Sequence, residues 1–149
     1  MKILIDGDAC PVKKEIAELG KRYNIDILYI CSICHFSDQY LFPDSIIVDN
    51  ESQAADIEII NNIQSGDIVI SQDYGLASIA LDKKAYAISF HGKKFTKQNI
   101  DHLLFQRHLS LEQRKNKQRT TKQKKRQKKD DVAFKESLEK LILQILNPQ

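Results

Sequence analysis

The chain has 149 residues, of which 42% are hydrophobic and 29% charged, and it carries a formal net charge of +3. This length fits one ordinary domain and is sufficient for a hydrophobic core. No apolar run approaches the roughly 20 residues of a membrane span, and no charged-then-apolar signal segment opens the chain. We therefore expect a cytoplasmic protein without a membrane partner, whose three cysteines are reduced thiols.

Strand and helix patterns alternate along most of the chain. Strands are predicted at 2–5, 26–31, 45–48, 67–70 and 85–89, and helices at 11–23, 51–64, 74–82, 96–109 and 132–146. Strands that alternate with helices of this length indicate βαβ units and therefore a parallel sheet. We expect an α/β fold of three layers, α/β/α, in which helices cover both faces of a mostly parallel sheet.

The first predicted strand leads into the most informative motif, Asp6-Gly7-Asp8-Ala9-Cys10-Pro11. Pro11 suits the first position of a helix, where its missing N–H costs nothing. Asp6 and Asp8 therefore lie at the carboxyl end of a strand, which is where open α/β sheets bind ligands. Two carboxylates one residue apart repel each other unless a cation, a proton or a basic group lies between them. The motif predicts a functional site.

Three further aspartates are predicted to lie near this edge of the sheet. Asp49 ends the third strand, Asp73 follows the fourth, and Asp56 lies one turn into the helix between them. Because parallel strands all point the same way, these residues converge on Asp6 and Asp8. Several carboxylates at one strand edge suit Mg²⁺ or Mn²⁺, which prefer oxygen ligands. The alternative is that each aspartate only serves a turn or a helix N-cap.

Basic residues are concentrated near the end of the chain. Residues 114–129 contain ten lysines and arginines and no acid, which leaves 13 basic against 20 acidic residues elsewhere. Such a segment favours a polyanion, most simply nucleic acid. The alternative is a solvated tail that binds no polyanion.

These patterns divide the chain into three parts. We predict an α/β domain at 1–112, a flexible basic segment at 113–130 and an amphipathic helix at 131–149. The helix has an apolar stripe that includes Phe134, Leu138 and Leu141. A stripe of this kind needs a partner, so the helix packs either on the domain or on another subunit.

Four motifs resemble, in order, those of the uncharacterised YaiI/YqxD protein family: ILIDGDACP, NESQAADIEII, GDIVISQDYGLA and FHGKKFTKQNI. The resemblance covers about residues 1–109, with weaker agreement at DDVAFKESLEKLI. That family is grouped by resemblance with the PIN-like nuclease superfamily, whose members are metal-dependent ribonucleases of α/β/α architecture. The resemblance therefore implies a PIN-like fold and Mg²⁺ or Mn²⁺ as cofactor.

The resemblance also implies roles for individual acids. Asp6 matches the first acid of PIN-like nucleases and Asp56 the acid on the central helix. Asp73 matches the acid of the Thr-x-Asp-x-x-Leu-Ala-like motif, with Ser71 in the threonine position. Asp8 is the additional acid. Asp6, Asp56 and Asp73 are thus the implied metal ligands.

The chain departs from the family patterns in two places. PIN-like nucleases often carry one more acid directly after the position of Asp73, where this chain has Tyr74, and His91 stands where the YaiI/YqxD pattern has arginine. Lys93 or Arg107 is predicted to pair with a substrate phosphate. The other predicted nucleic-acid-binding residues lie in the basic segment: Lys115, Lys117, Arg119, Lys124, Lys125, Arg126, Lys128 and Lys129.

The function predicted from these features is metal-dependent hydrolysis of phosphodiester bonds, most simply in RNA. Mg²⁺ or Mn²⁺ would hold the attacking water and offset charge on the phosphodiester. Asp6 and Asp73 are expected to bind the metal directly. Asp56 is expected to serve a second metal or orient the water, with Asp8 as a helper.

Three alternatives remain open from the sequence. The first is a catalytically inactive PIN-like module that binds RNA or protein. The second is a phosphatase with Asp6 as nucleophile and Asp8 as general acid/base, although the Gly66-Asp67 pair precedes its strand instead of following it. The third concerns Cys31, Cys34 and His35, whose spacing fits a haem, redox or zinc site, or simply small buried side chains.

Overall fold

The computed structural model of the protein describes residues 1–8, 10–32, 38, 41–51, 53–115 and 124–148. Its strands are β1 Lys2–Asp6, β2 Asp26–Cys31, β3 Ser45–Ile47, β4 Ile68–Ile70, β5 Tyr86–Ile88 and β6 Lys94–Phe95. Within these ranges, the helices are α1 Lys13–Arg22, α2 Ala54–Asn62, α3 Tyr74–Asp82, α4 Lys97–Lys115 and α5 Lys128–Leu146.

The strands form one sheet in the order β3-β2-β1-β4-β5-β6. Every pairing from β3 to β5 is parallel, and β6 pairs antiparallel with β5. The chain moves outward from β1 through β2 to β3 and then crosses to β4 on the other side of β1. The carboxyl ends of β1 and β4 therefore meet at the point where the strand order reverses, which is the usual ligand crevice of such sheets.

Both faces of the sheet are covered by helices, which confirms the predicted three-layer α/β/α fold. Ile3 and Ile5 of β1 point to one face, where they join a cluster with side chains of α1 and α5. Leu4 points to the other face and packs with side chains of α2, α3 and α4. All three are fully buried, as expected for a central strand of a parallel sheet.

Helix α5 packs on the domain. Its stripe, formed by Phe134, Leu138, Leu141 and Ile142, is buried in the same cluster as β1 and α1. Arg126, just before the helix, donates from a terminal guanidinium nitrogen to the Phe90 carbonyl (2.8 Å) and pairs through Nε with Asp131 (2.6 Å). These contacts attach the start of α5 to the chain that follows β5.

Several element boundaries differ from those predicted, for local physical reasons. Helix α2 begins at Ala54 and not at 51, because Gln53 has a left-handed backbone (φ 68°) that a helix cannot include. Helix α5 begins at Lys128 because Gln127 and Asp130 form a capping box there. With α4 extending to Lys115, both helices reach into the range 113–130 that we predict to be flexible.

The cysteines only partly match the expectation of reduced thiols. Cys10 is free and buried, whereas Cys31 is buried and disulfide-bonded, so the expectation is wrong for Cys31. Cys34 and His35 lie outside the described residues. Within the described part of the chain, no helix is both long enough and apolar enough to cross a membrane.

Candidate functional site

Asp6 and Asp73 lie together at the crevice between β1 and β4, joined by one buried serine. Ser71 Oγ donates to Asp6 Oδ2 (2.9 Å) and accepts from the Asp73 backbone N–H (2.9 Å). Ser71 is only 2% exposed, so this link is shielded from water. Two acids that lie far apart in the sequence are thereby held in one fixed arrangement.

Asp56 faces these two acids from the first turn of α2. The pKa of Asp56 is raised to about 6, first by burial and then by the nearby negative charges of Asp73 and Asp6. The pKa of Asp6 is also raised, chiefly by burial and further by Asp8 and Asp73, although the Ser71 hydrogen bond lowers it. The structure therefore brings together the three acids predicted to bind metal.

The raised pKa of Asp56 predicts that the metal-free protein is more stable at low pH than at neutral pH. Between the unfolded-state pKa near 4 and the folded-state value near 6, the folded protein binds more protons, so the free energy of unfolding falls as pH rises. In EDTA we expect Asp56→Asn to melt roughly 2–4 °C above wild type at pH 7.5, about 1 kcal/mol after screening by solvent. At pH 4.5 this gain should largely vanish.

Thermal melts of both proteins at the two pH values test this prediction. Asp101→Asn is the matched control, because Asp101 is an exposed aspartate on α4, and it should change neither melt. If Asp56→Asn raised the melting temperature equally at both pH values, the gain could not come from removing the negative charge of Asp56.

Asp8 is hydrogen-bonded to Ser32, the residue that follows β2. Its Oδ1 accepts from the Ser32 backbone N–H (3.0 Å) and its Oδ2 from Ser32 Oγ (2.7 Å). The side chain is exposed, yet its charge still reaches Asp6 and raises the pKa of that group. Asp49 follows β3 at the outer side of the sheet and is exposed.

Gly7 lets the chain between Asp6 and Asp8 lie directly on β2. Its N–H donates to the Ile30 carbonyl (2.7 Å), and its own carbonyl accepts from Tyr29 Oη (3.0 Å). A Cβ at this position would lie 2.5 Å from the Tyr29 ring and 2.7 Å from the Ile30 carbonyl oxygen. The glycine is therefore required by close approach of two backbone segments.

Gly7→Ala is expected to lower the free energy of unfolding by about 2 kcal/mol or more, because the backbone oxygen cannot move aside without breaking the sheet pairing. Urea denaturation would measure the loss. Gly66→Ala provides the comparison: it meets no atom within 4 Å but has φ +88°, so it should cost only about 1 kcal/mol. If the two variants lost equal free energy of unfolding, steric overlap with Tyr29 and Ile30 could not be the cause of the loss in Gly7→Ala.

The acids suit a hard cation by their chemistry but do not form a finished metal site. Among the described residues, no group of three His, Cys, Asp or Glu side chains is arranged to hold a metal ion. All the donors are carboxylate oxygens, the ligands that Mg²⁺ and Mn²⁺ prefer.

The predicted basic residues are distributed over two regions. Lys93 is exposed in the turn that follows β5, at the same edge of the sheet as the acids, and Arg107 is exposed on α4. Arg126 is engaged with Asp131 and the Phe90 carbonyl. Lys115, Lys124, Lys125, Lys128 and Lys129 are exposed. Lys117 and Arg119 lie outside the described residues.

The polar residues that position the acids are not among those predicted from the sequence. Ser71 stands out there only by its place in a motif, and Ser32 and Gln72 have no predicted role. Gln72 Oε1 accepts from the Phe90 N–H (2.8 Å) and so links the ends of β4 and β5. Their position in the sequence could have indicated this role, because each of these residues lies within two residues of the end of a buried strand.

Asp67 lies at the opposite edge of the sheet from the acids. It is 2% exposed and accepts hydrogen bonds from the Lys2 backbone N–H (3.0 Å), Lys2 Nζ (2.7 Å) and the Gln64 N–H (2.8 Å). These contacts tie the starts of β1 and β4 together. The Gly66-Asp67 pair therefore has a structural role and lies far along the strand from any chemistry at Asp6.

Comparison with known proteins gives a match over nearly the whole chain. The model of the family described as "Uncharacterized BCR, YaiI/YqxD family" matches residues 4–144. The chain belongs to the YaiI/YqxD family. This confirms the membership expected from the four motifs, while the likeness to PIN-like nucleases stays a prediction.

Relatives of this YaiI/YqxD chain are similar along almost their full length, and each is named a UPF0178 protein. The relative from Alkaliphilus oremlandii is 46% identical over 135 residues, covering 90% of this chain and 86% of the relative. The relative from Natranaerobius thermophilus is 41% identical, and the match covers 97% of this chain and 98% of the relative. The relative from Clostridium kluyveri is 43% identical, and the match covers 96% of this chain and 93% of the relative. No solved structure matches.

Proposed function

We propose that this YaiI/YqxD protein is a cytoplasmic nuclease that depends on Mg²⁺ or Mn²⁺ and hydrolyses phosphodiester bonds in RNA. The observation that supports this most is the convergence of three carboxylates at the crevice between β1 and β4: Asp6 and Asp73, which Ser71 joins, and Asp56 from the first turn of α2. Within the described residues, no lysine, arginine or histidine forms an ion pair with these acids. A divalent cation is the simplest group that would neutralise them.

Each acid would contribute according to its place in the fold. Asp6 and Asp73 come from neighbouring strands and share Ser71, so they are the natural direct ligands. Asp56 faces them from a separate helix and would hold a second ion or orient the attacking water. When bound, the metal would lower the pKa of that water and offset the charge that develops on the phosphodiester.

The remaining groups would bind and orient the substrate. Asp8 is fixed by two hydrogen bonds from Ser32 and can accept a hydrogen bond from a water or a sugar hydroxyl at the edge of the crevice. Lys93 and Arg107 are exposed cations that would pair with phosphates on either side of the acids. The lysines and arginines between 113 and 130 would add non-specific attraction for the RNA backbone.

A second candidate is a module that binds RNA without cleaving it. Two observations favour it: the described residues contain no ready-made group of three metal ligands, and Tyr74 occupies the place of an additional acid. Asp67 is buried at the far edge of the sheet, so the Gly66-Asp67 pair cannot supply the acid that the phosphatase alternative requires beside Asp6.

Hydrolysis of a labelled single-stranded RNA by the purified full chain tests the proposal. We expect cleavage in Mn²⁺ or Mg²⁺ and none in EDTA, together with a higher melting temperature on addition of Mn²⁺ at pH 7.5, because binding to the folded state stabilises it. Retarded migration of intact RNA with no metal-dependent product would favour the binding module and overturn the nuclease.

A further inference from the structure

A cleft opens directly beside Asp73, between the start of α3 and one face of α4. Its volume is 530 Å³, which lies within the range of about 300–1,000 Å³ found for small-molecule sites. One wall is formed by Gln72, Asp73 and Tyr74. The cleft therefore adjoins the acids at the crevice but extends away from them.

The second wall is a single helical stripe. Leu103, Arg107, Ser110 and Leu111 of α4 line the cleft, and their spacing of four, seven and eight residues places them on one face of the helix. Leu103 is buried while Leu111 is 47% exposed. The stripe thus combines apolar side chains with a cation and a hydroxyl, as expected for a site whose ligand has both an apolar part and a charged or polar part.

Two donors in this cleft are available to an anion. Arg107 is exposed, and it forms no ion pair or side-chain hydrogen bond with the rest of the described chain. Gln72 has its Oε1 engaged by the Phe90 N–H, so its amide NH₂ is fixed in orientation and free to donate. A guanidinium and an oriented amide favour a phosphate group.

The apolar part of the cleft suits a planar ring. Tyr74 is half-buried and packs edge-to-face on Phe95, with ring centroids 5.6 Å apart, so its ring is held in place. Leu103 and Leu111 complete this surface. A nucleobase stacks on such aromatic and aliphatic surfaces with little dependence on its identity.

We propose that this cleft binds one unpaired nucleotide of a single-stranded nucleic acid, with its phosphate at Arg107 and Gln72 and its base against Tyr74 and Leu111. The inference rests on the proposed function for the choice of a polynucleotide, and it names the form of substrate that the crevice receives. A base-paired strand is excluded because its bases are stacked inside the duplex and cannot enter a cleft.

Binding is tested in EDTA on the full chain, so that no cleavage is needed for the readout. The probe is a fluorescent single-stranded oligonucleotide of about ten nucleotides, followed by anisotropy, with the matching duplex and a free nucleoside monophosphate as competitors. Arg107→Gln should weaken binding by at least about tenfold, because it removes a charge-assisted hydrogen bond. Ser110→Glu should weaken it similarly by placing a negative charge in the cleft beside Arg107.

Lys97→Gln is the matched control, because Lys97 is an exposed cation at the start of the same helix and lies outside the cleft. It should change affinity by less than about twofold. Thermal melts establish that all three variants fold. Wild-type affinity in both Arg107→Gln and Ser110→Glu would overturn the inference, as would equal affinity for the duplex or for the free monophosphate.

Failure of this inference can be told apart from failure of the nuclease proposal. Cleavage in Mn²⁺ by a protein whose binding ignores Arg107 would remove the cleft from the reaction and leave the nuclease standing. Arg107-dependent binding of single strands with no cleavage would support the cleft as the site of a binding module.

Discussion

Replacing Asp73 with asparagine is expected to lower metal-dependent RNA hydrolysis by at least about a hundredfold while leaving the fold intact. Asp73 caps α3, where its Oδ1 accepts from the Leu76 N–H (3.2 Å). Asparagine caps helices as well as aspartate does, so Asp73→Asn keeps this hydrogen bond. The substitution therefore removes the negative charge alone.

Initial rates in Mn²⁺ and thermal melts would separate the two roles of Asp73. Asp73→Ala should lose activity and also about 1 kcal/mol of stability, because it removes the cap as well as the charge. Asp101→Asn, an exposed aspartate on α4, should retain wild-type rate and stability. An Asp73→Asn protein that cleaves RNA at the wild-type rate would exclude Asp73 as a ligand.

Phe134→Ala is expected to lower the free energy of unfolding by about 3–5 kcal/mol, the cost of removing a large buried aromatic side chain and leaving a cavity. Phe134 is fully buried and shares its cluster with Ile3, Ile16 and Leu19. The loss should appear as a lower urea midpoint for the whole cooperative transition.

Val132→Ala on the same helix is the matched control for Phe134. Val132 is 51% exposed, and alanine is a better helix former than valine, so this variant should not be destabilised. If both substitutions left the urea midpoint unchanged, α5 would contribute nothing to the stability of the domain.

The general architecture could be predicted because its signals are local. Runs such as Ile3-Leu4-Ile5 identify buried strands, and their alternation with helices implies a parallel sheet and a layer of helices on each face. The convergence of Asp6 and Asp73 follows from the same rule, since parallel strands end at one edge. Asp56 is in reach because its helix begins at that edge.

The contacts that complete the site depend on which strands are neighbours in the sheet. The alternation of strands and helices along the sequence does not determine the order of the strands. Ser71 and Asp6 are 65 residues apart, and their hydrogen bond exists only because β4 pairs with β1 and not with β3. Strand β6, only two residues long, has too little pattern to be predicted. The link from Arg126 to the Phe90 carbonyl likewise requires knowledge of where α5 packs.

The position of α5 has a consequence for synthesis on the ribosome. Strand β1 and helix α1 emerge early, yet the apolar surface they share is completed by side chains of α5, and Tyr23 donates a hydrogen bond to Glu139, 116 residues away (2.6 Å). Contacts of such long separation form slowly. The nascent chain must therefore keep its earliest apolar residues from aggregating until α5 has left the exit tunnel.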